Sequence, residues 1–402
     1  MQIVVVSPFL DRRHGTELCI IEQIERLSSK YGWGIHLFSQ HVESVNSLLT
    51  EDPTNTATGF IRWYRVSDIS APHLLKFLWW FFANRAVRKS ALKRLENRPL
   101  LVYSPGINCL DANAITVHIV FHELHARIRH ELPLLKVPVS RWPVTIHRRL
   151  YYKLIMALER RIYTDSKVRL AAVSKLVSAQ LEKHFGRTDS VVIPNAVDTV
   201  IFNSEARLAR RSVSRQSLGL AEGAFVVLLI GNDWKTKGLT QLLRALAIIE
   251  IPIRLLVVGK DDPGPYRTAL RKLRLDARVR FLPPVADVLS FYAATDAYVA
   301  PSLEDSFGLP ILEAMACGLP VIASVQAGAS ENVVDGTTGY LLRDPMNHAE
   351  LADLIRRLAS DKSAAQQIGA AAAQFVKSSV SWDHNVSATR EFLKNALASR
   401  LD

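Results

Sequence analysis

The segment VVLLIGNDWKTKGLTQLLRAL (residues 226–246) passes from a continuous apolar run through a polar loop into an amphipathic stretch. That is a buried strand, a turn and a helix in order, the unit from which parallel α/β sheets are built. Outward from it the pattern repeats. Strands are expected at Phe225–Ile230, Arg254–Val258, Val279–Phe281, Ala297–Ala300 and Val321–Ala323. Helices near Leu239–Ile249, Tyr266–Leu273, Val285–Ala294 and Pro310–Cys317 alternate with them. The first half carries its own series, with strands at Ile3–Ser7, Gly34–Phe38, Leu100–Tyr103, Ile115–Val120 and Leu170–Val173. Its clearest helices are Thr16–Lys30, Trp142–Tyr163 and Lys175–His184, whereas Glu43–Arg65 reads as a loop or a poorly paired hairpin.

Two series in 402 residues imply an α/β protein of two Rossmann-like domains, binding ligands at the carboxyl ends of their strands. The boundary is expected near VIPNAVDTVIF (192–202), where a strand ends in a Pro-Asn turn. The expected division is residues 1–193 as a first Rossmann-like domain and 194–383 as a second. The tail, about 384–402, reads as a helix returning to the first domain.

The segment PSLEDSFGLPILEAMACGLPVIAS (301–324) carries the chemistry. Asp305 and Glu313 stand eight residues apart, with a helix starting near Pro310, and proline suits a first helical position. The backbone of Ser306, Phe307, Gly308 and Leu309 can offer N–H groups and the positive helix end to an anion such as a diphosphate. Glu313, one turn in, is placed to accept from both hydroxyls of a ribose. In the 226–246 segment, Lys237-Gly238 opens a helix. The Lys supplies charge to a diphosphate, and the Gly permits close backbone approach.

Together these motifs resemble the large retaining GT-B glycosyltransferase family of group 1 type. It includes phosphatidylinositol mannosyltransferases, lipopolysaccharide core glucosyltransferases and sucrose-phosphate synthases. The family pattern E-G-F-G-L-P-x-x-E-A-M-A-x-G-x-P-V is met with Asp305 in place of Glu and Ser306 in place of Gly. The G-R-x-x-x-x-K-G element is met with Asn232 at the Arg position, Lys237 at the Lys and Lys235 nearby as a second cation.

The resemblance implies two domains facing across a cleft and transfer from a UDP- or GDP-sugar with retention. It implies a front-face route in which the leaving phosphate takes the acceptor proton, with no cofactor and no metal. Lys237 and the helix end then do the work of a divalent ion. Asp305, or adjacent Glu304, contacts the transferred sugar, Glu313 holds the ribose, and Leu282–Val285 reads the base. In the first half, Gly15 in the turn His14-Gly15-Thr16-Glu17 lies where the sugar or acceptor approaches. His118 matches a position whose imidazole hydrogen-bonds the transferred sugar, with His122 and His125 as rivals. The other reading is a catalytically silent nucleotide-sugar-binding or scaffold protein, suggested by Asp305, Ser306 and Asn232.

Charge is segregated. Residues 1–195 hold 27 Lys and Arg against 16 Asp and Glu, and residues 196–402 hold 23 against 22. One half is therefore expected to meet an anionic partner. On charge alone nucleic acid, an acidic membrane surface and a phosphorylated substrate are candidates. No helix-turn-helix or RNP-like motif favours nucleic acid, and the expected partners are a nucleotide sugar, a glycan or lipid-linked acceptor and an anionic membrane surface. The Trp142–Tyr163 helix is expected to present Trp142, Tyr151, Tyr152, Leu154 and Ile155 among Arg127, Arg129, Arg141, Arg148, Arg149, Lys153, Arg160 and Arg161. LLKFLWWFFANRAVRK (74–89) is a second such segment. The absence of an apolar run of spanning length and three sparse cysteines, Cys19, Cys109 and Cys317, point to a cytoplasmic protein without disulfides, peripheral on the inner membrane face.

Overall fold

The apolar runs become strands of two parallel sheets, most of them buried on both faces. The computed structural model describes residues 1–12, 15–43, 45, 59–93, 100–128, 138, 140 and 142–401. It divides into two units, residues 1–193 with 385–402, and residues 194–384.

The first unit runs β1 (Gln2–Val6), β2 (Phe9–Leu10), α1 (Gly15–Tyr31), β3 (Gly34–Ser39), β4 (His41–Val42), β5 (Phe60–Arg65), α2 (His73–Leu92), β6 (Leu101–Pro105) and β7 (Ala114–Val117). It continues through α3 (Phe121–Ile128), α4 (Trp142–Tyr163), β8 (Arg169–Ala172), α5 (Lys175–Phe185) and β9 (Val191–Val192). Its main sheet has the order β5-β3-β1-β6-β7-β8-β9, and every pair within it is parallel. The central strand β1 is enclosed on both faces, with Ile3, Val4, Val5 and Val6 fully buried. That explains its unbroken apolar run.

Two expectations are corrected here. The Glu43–Arg65 stretch ends in a true strand: β5 pairs in parallel with β3 from Phe60 opposite Gly34 to Arg65 opposite Ser39. As an edge strand β5 is only half covered, so Arg62 and Arg65 are tolerated, and Tyr64 stacks on Phe38 at 4.6 Å. Residues 44 and 46–58 of that stretch lie outside the described residues. The strand expected over Ile115–Val120 stops at Val117, because the chain turns at His118 and enters α3 at Phe121.

The second unit runs α6 (Ser204–Ser217), β10 (Val226–Ile230), α7 (Leu239–Ala247), β11 (Arg254–Val258), α8 (Gly264–Leu273), β12 (Val279–Leu282), α9 (Leu289–Ala294) and β13 (Ala297–Ala300). It continues with α10 (Leu309–Ala316), β14 (Val321–Ser324), β15 (Tyr340–Leu342), α11 (His348–Ser360) and α12 (Lys362–Ser379). The parallel order β12-β11-β10-β13-β14-β15 reverses direction between β10 and β13, the switch point of a doubly wound sheet. Helix α13 (Trp382–Leu401) follows. From Asn385 onward it belongs to the first unit, where Thr389 and Leu393 are fully buried and Gln23 Nε2 donates to Asn385 Oδ1 at 3.0 Å.

Among the described residues no helix is long and apolar enough to cross a membrane. Cys19, Cys109 and Cys317 are buried and not joined in disulfides among the described residues.

Candidate donor site and the His118 turn

The loops leaving β10 and β13 at the switch point carry most of the expected donor-site residues. After β10, the chain turns through Gly231 to Lys237. Asp233 adopts a left-handed φ of 55°, and the Asp261 carboxylate holds it there by accepting from the N–H groups of Asp233 (3.0 Å) and Trp234 (2.6 Å). The Asn232 side chain braces the same turn, its Oδ1 accepting from the Lys260 N–H at 2.9 Å. Asn232 thus ties two loops together where the family pattern has a cation. Lys235 is exposed on the outer side of the turn.

Gly238 ends the loop at φ 78° and begins α7. A Cβ there would stand 2.0 Å from the Pro301 carbonyl oxygen, so the two loops meet through a position only glycine can occupy.

After β13, Asp305 is pinned by its backbone. Its N–H donates to Gln326 O and its carbonyl accepts from Gly328 N–H, both at 2.9 Å. Its side chain forms an ion pair with Lys237 Nζ, with 24% of the lysine and 16% of the aspartate side chain exposed. The loop's only cation at this depth is therefore already neutralised by the carboxylate expected to touch sugar. The shorter Asp side chain is seated on Lys237 itself, while Glu304 and Ser306 beside it are half-buried. Phe307 is buried, and Gly308 takes φ 87° to open α10. No side chain caps α10, and Pro310 in its first turn brings no N–H. The first N–H groups and the positive helix end thus face the loop without a side-chain acceptor.

Glu313 lies one turn in. Burial raises its carboxyl to about 7, opposed by a 2.6 Å hydrogen bond from the Tyr292 hydroxyl of α9 to Oε2. The Leu282–Val285 segment follows the end of β12, two strands from the switch point, with Val285 exposed.

A cavity of about 280 Å³ in this unit lies elsewhere. It is lined by Arg207, Phe225 and Asp296, and so opens at the opposite ends of β10 and β13 from these loops.

In the first unit, His118 follows β7 and is buried. Its Nε2 has no hydrogen-bond partner among the described residues, and burial lowers its pKa to about 4. The ring is thus neutral at pH 7, with a vacant polar atom. Of its rivals, His122 is engaged: Glu159 Oε2 lies 2.6 Å from His122 Nδ1. His125 stands beside the Tyr152 ring, 5.9 Å between centroids. Gly15 is exposed at the start of α1, and a Cβ there would meet no protein atom; His14 lies outside the described residues.

Glu159 gave no signal in the sequence. It projects from α4, fully buried, and accepts from the N–H groups of Phe121 (2.6 Å) and His122 (3.0 Å). It therefore caps α3 from a different helix.

The basic helices are corrected in detail. Tyr152 and Ile155 of α4 are buried, and Tyr151 packs edge-on against Phe77 of α2 at 5.5 Å. The outward stripe is instead Ile146 and Leu150, leading to Lys153, Arg160 and Arg161, with Val144 exposed on the opposite side of the helix. On α2 the exposed stripe is Leu75, Leu78, Trp79 and Phe82, leading to Arg85 and Lys89. Arg129 and Arg141 lie outside the described residues, as does the side chain of Arg127.

Residues 210–375 match the family model of Glycosyl transferases group 1. The D-inositol 3-phosphate glycosyltransferase of Pseudarthrobacter chlorophenolicus is 34% identical over 248 residues, covering 58% of this chain and 57% of that protein. The lipopolysaccharide glucosyltransferase WaaG of Escherichia coli is 26% identical over 213 residues, covering 51% and 57%. The chain spans little more than half the length of these curated relatives. Among solved structures, WaaG, a glycosyltransferase involved in lipopolysaccharide biosynthesis, superposes with a TM-score of 0.73 at 18% identity over 96% of this chain and 98% of that one. Anabaena HepE in complex with UDP-glucose gives 0.70 at 22%, over 98% and 100%. These two likenesses show the fold: the chain has the two-domain α/β architecture of GT-B glycosyltransferases.

Proposed function

We propose that the chain moves a sugar from a nucleoside-diphosphate sugar to a hydroxyl of a glycan or lipid-linked acceptor, with retention, a reading supported by the match of residues 210–375 to the group 1 glycosyltransferase model. The observation that carries this reading is the convergence of Lys237, the uncapped start of α10 and Glu313 on the loops at the β10/β13 switch point. In the proposed reaction the donor diphosphate takes Lys237 from Asp305 and lies against the first N–H groups of α10. As the C1–O bond to phosphate breaks, charge builds on the leaving oxygens, where Lys237 and the helix end stabilise it. The acceptor oxygen bonds to C1 on the same face and gives its proton to the leaving phosphate. The route needs no protein nucleophile and, in this proposal, no metal. His118 offers its neutral imidazole to a sugar hydroxyl.

A thermal-shift screen of UDP- and GDP-sugars tests the donor, since a ligand of the native state raises the melting temperature by mass action. Turnover with an acceptor panel tests the reaction. A nucleotide that binds but is turned over with no acceptor leaves a nucleotide-sugar-binding scaffold as the reading.

Two site predictions follow from this geometry. Asp305→Asn removes the charge that neutralises Lys237, so it should cut turnover while nucleoside-diphosphate affinity holds or rises. Affinity falling in parallel with turnover would place Asp305 among the phosphate contacts. His118→Ala should cut turnover with nucleoside-diphosphate binding intact, and unchanged turnover would make the ring a core residue.

We also propose that the first unit binds anionic membrane reversibly through the outward stripes of α2 and α4. Support comes from Phe82 at 71% exposure and Leu150 at 51%, each leading along its helix to basic residues. Each Lys or Arg near an anionic surface contributes about 1 kcal/mol, within a Debye length of about 8 Å at physiological salt. Co-sedimentation with vesicles should need anionic lipid, decline with salt, and fall when Arg148, Arg149 and Lys153 become Gln together. Equal sedimentation with neutral vesicles rejects the idea.

A further inference from the structure

The two oxygens of Glu313 are not equivalent. Oε2 receives the Tyr292 hydroxyl at 2.6 Å, whereas no hydrogen bond within the described residues reaches Oε1. Tyr292 is fully buried on α9, its ring edge-on to Phe202 at 5.9 Å and tilted against Tyr298 at 6.2 Å. Enclosed on these sides, the phenol has little freedom to swing away. Among the described residues its only other hydrogen-bond contact is the Pro310 carbonyl at 3.4 Å, too long to compete for the proton. Burial also drives the phenol pKa well above its usual value, so Tyr292 remains a donor throughout the physiological range.

We propose that Tyr292 is a positioning residue for the donor: its hydroxyl fixes the Glu313 carboxylate in one rotamer and leaves Oε1 turned to the ribose hydroxyls. The proposal rests on the reading of Glu313 as the ribose acceptor. Two consequences follow. The first is geometric, because a carboxylate tethered on one oxygen presents the other without losing side-chain entropy on binding. The second is protonic, because the Tyr292 hydrogen bond favours the ionised form of a group that burial holds near pH 7. Without that bond, Glu313 would carry a proton at neutral pH and offer a hydroxyl where the ribose needs an acceptor.

The experiment measures binding of three probes, UDP, 2′-deoxy-UDP and inorganic pyrophosphate, to the full chain and to Tyr292→Phe and Glu313→Gln, across pH 6 to 9. The native protein should prefer UDP over 2′-deoxy-UDP and bind UDP better as pH rises through about 7. Tyr292→Phe should weaken UDP roughly ten- to hundredfold, the scale of one hydrogen bond to a charged group, and leave pyrophosphate unchanged. It should also move the pH midpoint of UDP binding upward. In the Glu313→Gln background, Tyr292→Phe should add no further loss of UDP affinity.

Equal losses on all three probes, or no loss and an unmoved midpoint, would overturn the role of Tyr292. If Glu313→Gln itself keeps the native preference for UDP over 2′-deoxy-UDP, the ribose reading fails instead. Should Tyr292→Phe not fold, 3,5-difluorotyrosine at 292 keeps the ring and strengthens its O–H as a donor. The midpoint should then move downward, and an unmoved midpoint overturns the proposal.

Discussion

Lys237→Ala is expected to lower turnover by about 10²–10³-fold, the effect of deleting one preorganised group aimed at developing charge. The loss should exceed the loss in nucleoside-diphosphate affinity. Part of the lysine's interaction with a bound diphosphate only replaces the one it already makes with Asp305. The leaving group gains negative charge as the glycosidic bond breaks, so the lysine contributes most at that moment. Lys237→Arg should recover little, because a guanidinium presents its charge as a planar fork and not as the compact point charge that Asp305 meets here. Rapid-quench or coupled turnover, beside calorimetric titration with UDP and GDP, separates the two effects. Turnover unchanged in the Ala variant removes Lys237 from the reaction.

Glu159→Ala is expected to be the most destabilising single change of those considered, by about 2–6 kcal/mol, the scale for leaving two buried N–H groups without an acceptor. The carboxyl group satisfies two backbone N–H groups at the start of α3 and lies against His122 Nδ1. Burial raises its carboxyl to about 8, partly offset by those N–H groups. The unfolded carboxyl titrates near the ordinary value of about 4.3. Between the two values the folded state holds a proton that the unfolded state has released. Stability from this group is therefore greatest at low pH and declines as pH rises through about 8. Thermal melts at pH 5.5 and 8.5 should show that decline in the native chain and a smaller one in Glu159→Gln. An identical decline in the Gln variant would assign it to another group.

These two residues mark the limits of reading the sequence. Lys237 announces itself because a lysine followed by glycine, between an apolar strand and an amphipathic helix, is a local arrangement. The steric reason for Gly238 is non-local, lying in the Pro301 carbonyl. Most strands of both sheets were legible for the same local reason, since parallel strands covered on both faces must be continuously apolar, while the three-residue edge strand β15 was not. The edge strand β5 escaped because an edge tolerates FIRWYR, in which charge interrupts every apolar pair.

Glu159 sits between Leu158 and Arg160 in a helix rich in arginine, and helical periodicity alone does not distinguish a solvated glutamate from one that caps a helix 37 residues earlier. The inward turn of Tyr151 and Tyr152 was hidden similarly: the hydrophobic pattern of α4 shows that it has a buried face, not which neighbour covers it. Charge segregation survives into the structure as exposed basic ends on α2 and α4, but the apolar residues accompanying them are Leu75, Phe82, Ile146 and Leu150, not the aromatic pair.

The membership of α13 in the first unit bears on biosynthesis. A ribosome delivers residues 1–193 early, yet that unit still lacks Val386, Phe392, Leu393 and Ala396, all buried in the finished molecule. Until they emerge, the nascent N-terminal unit has an open apolar flank and a Gln23 Nε2 without its Asn385 acceptor. Residues 194–384 form the other unit and are complete before the last eighteen residues leave the tunnel. The usual order of vectorial folding, first made and first finished, is inverted here: the N-terminal unit is the last to close.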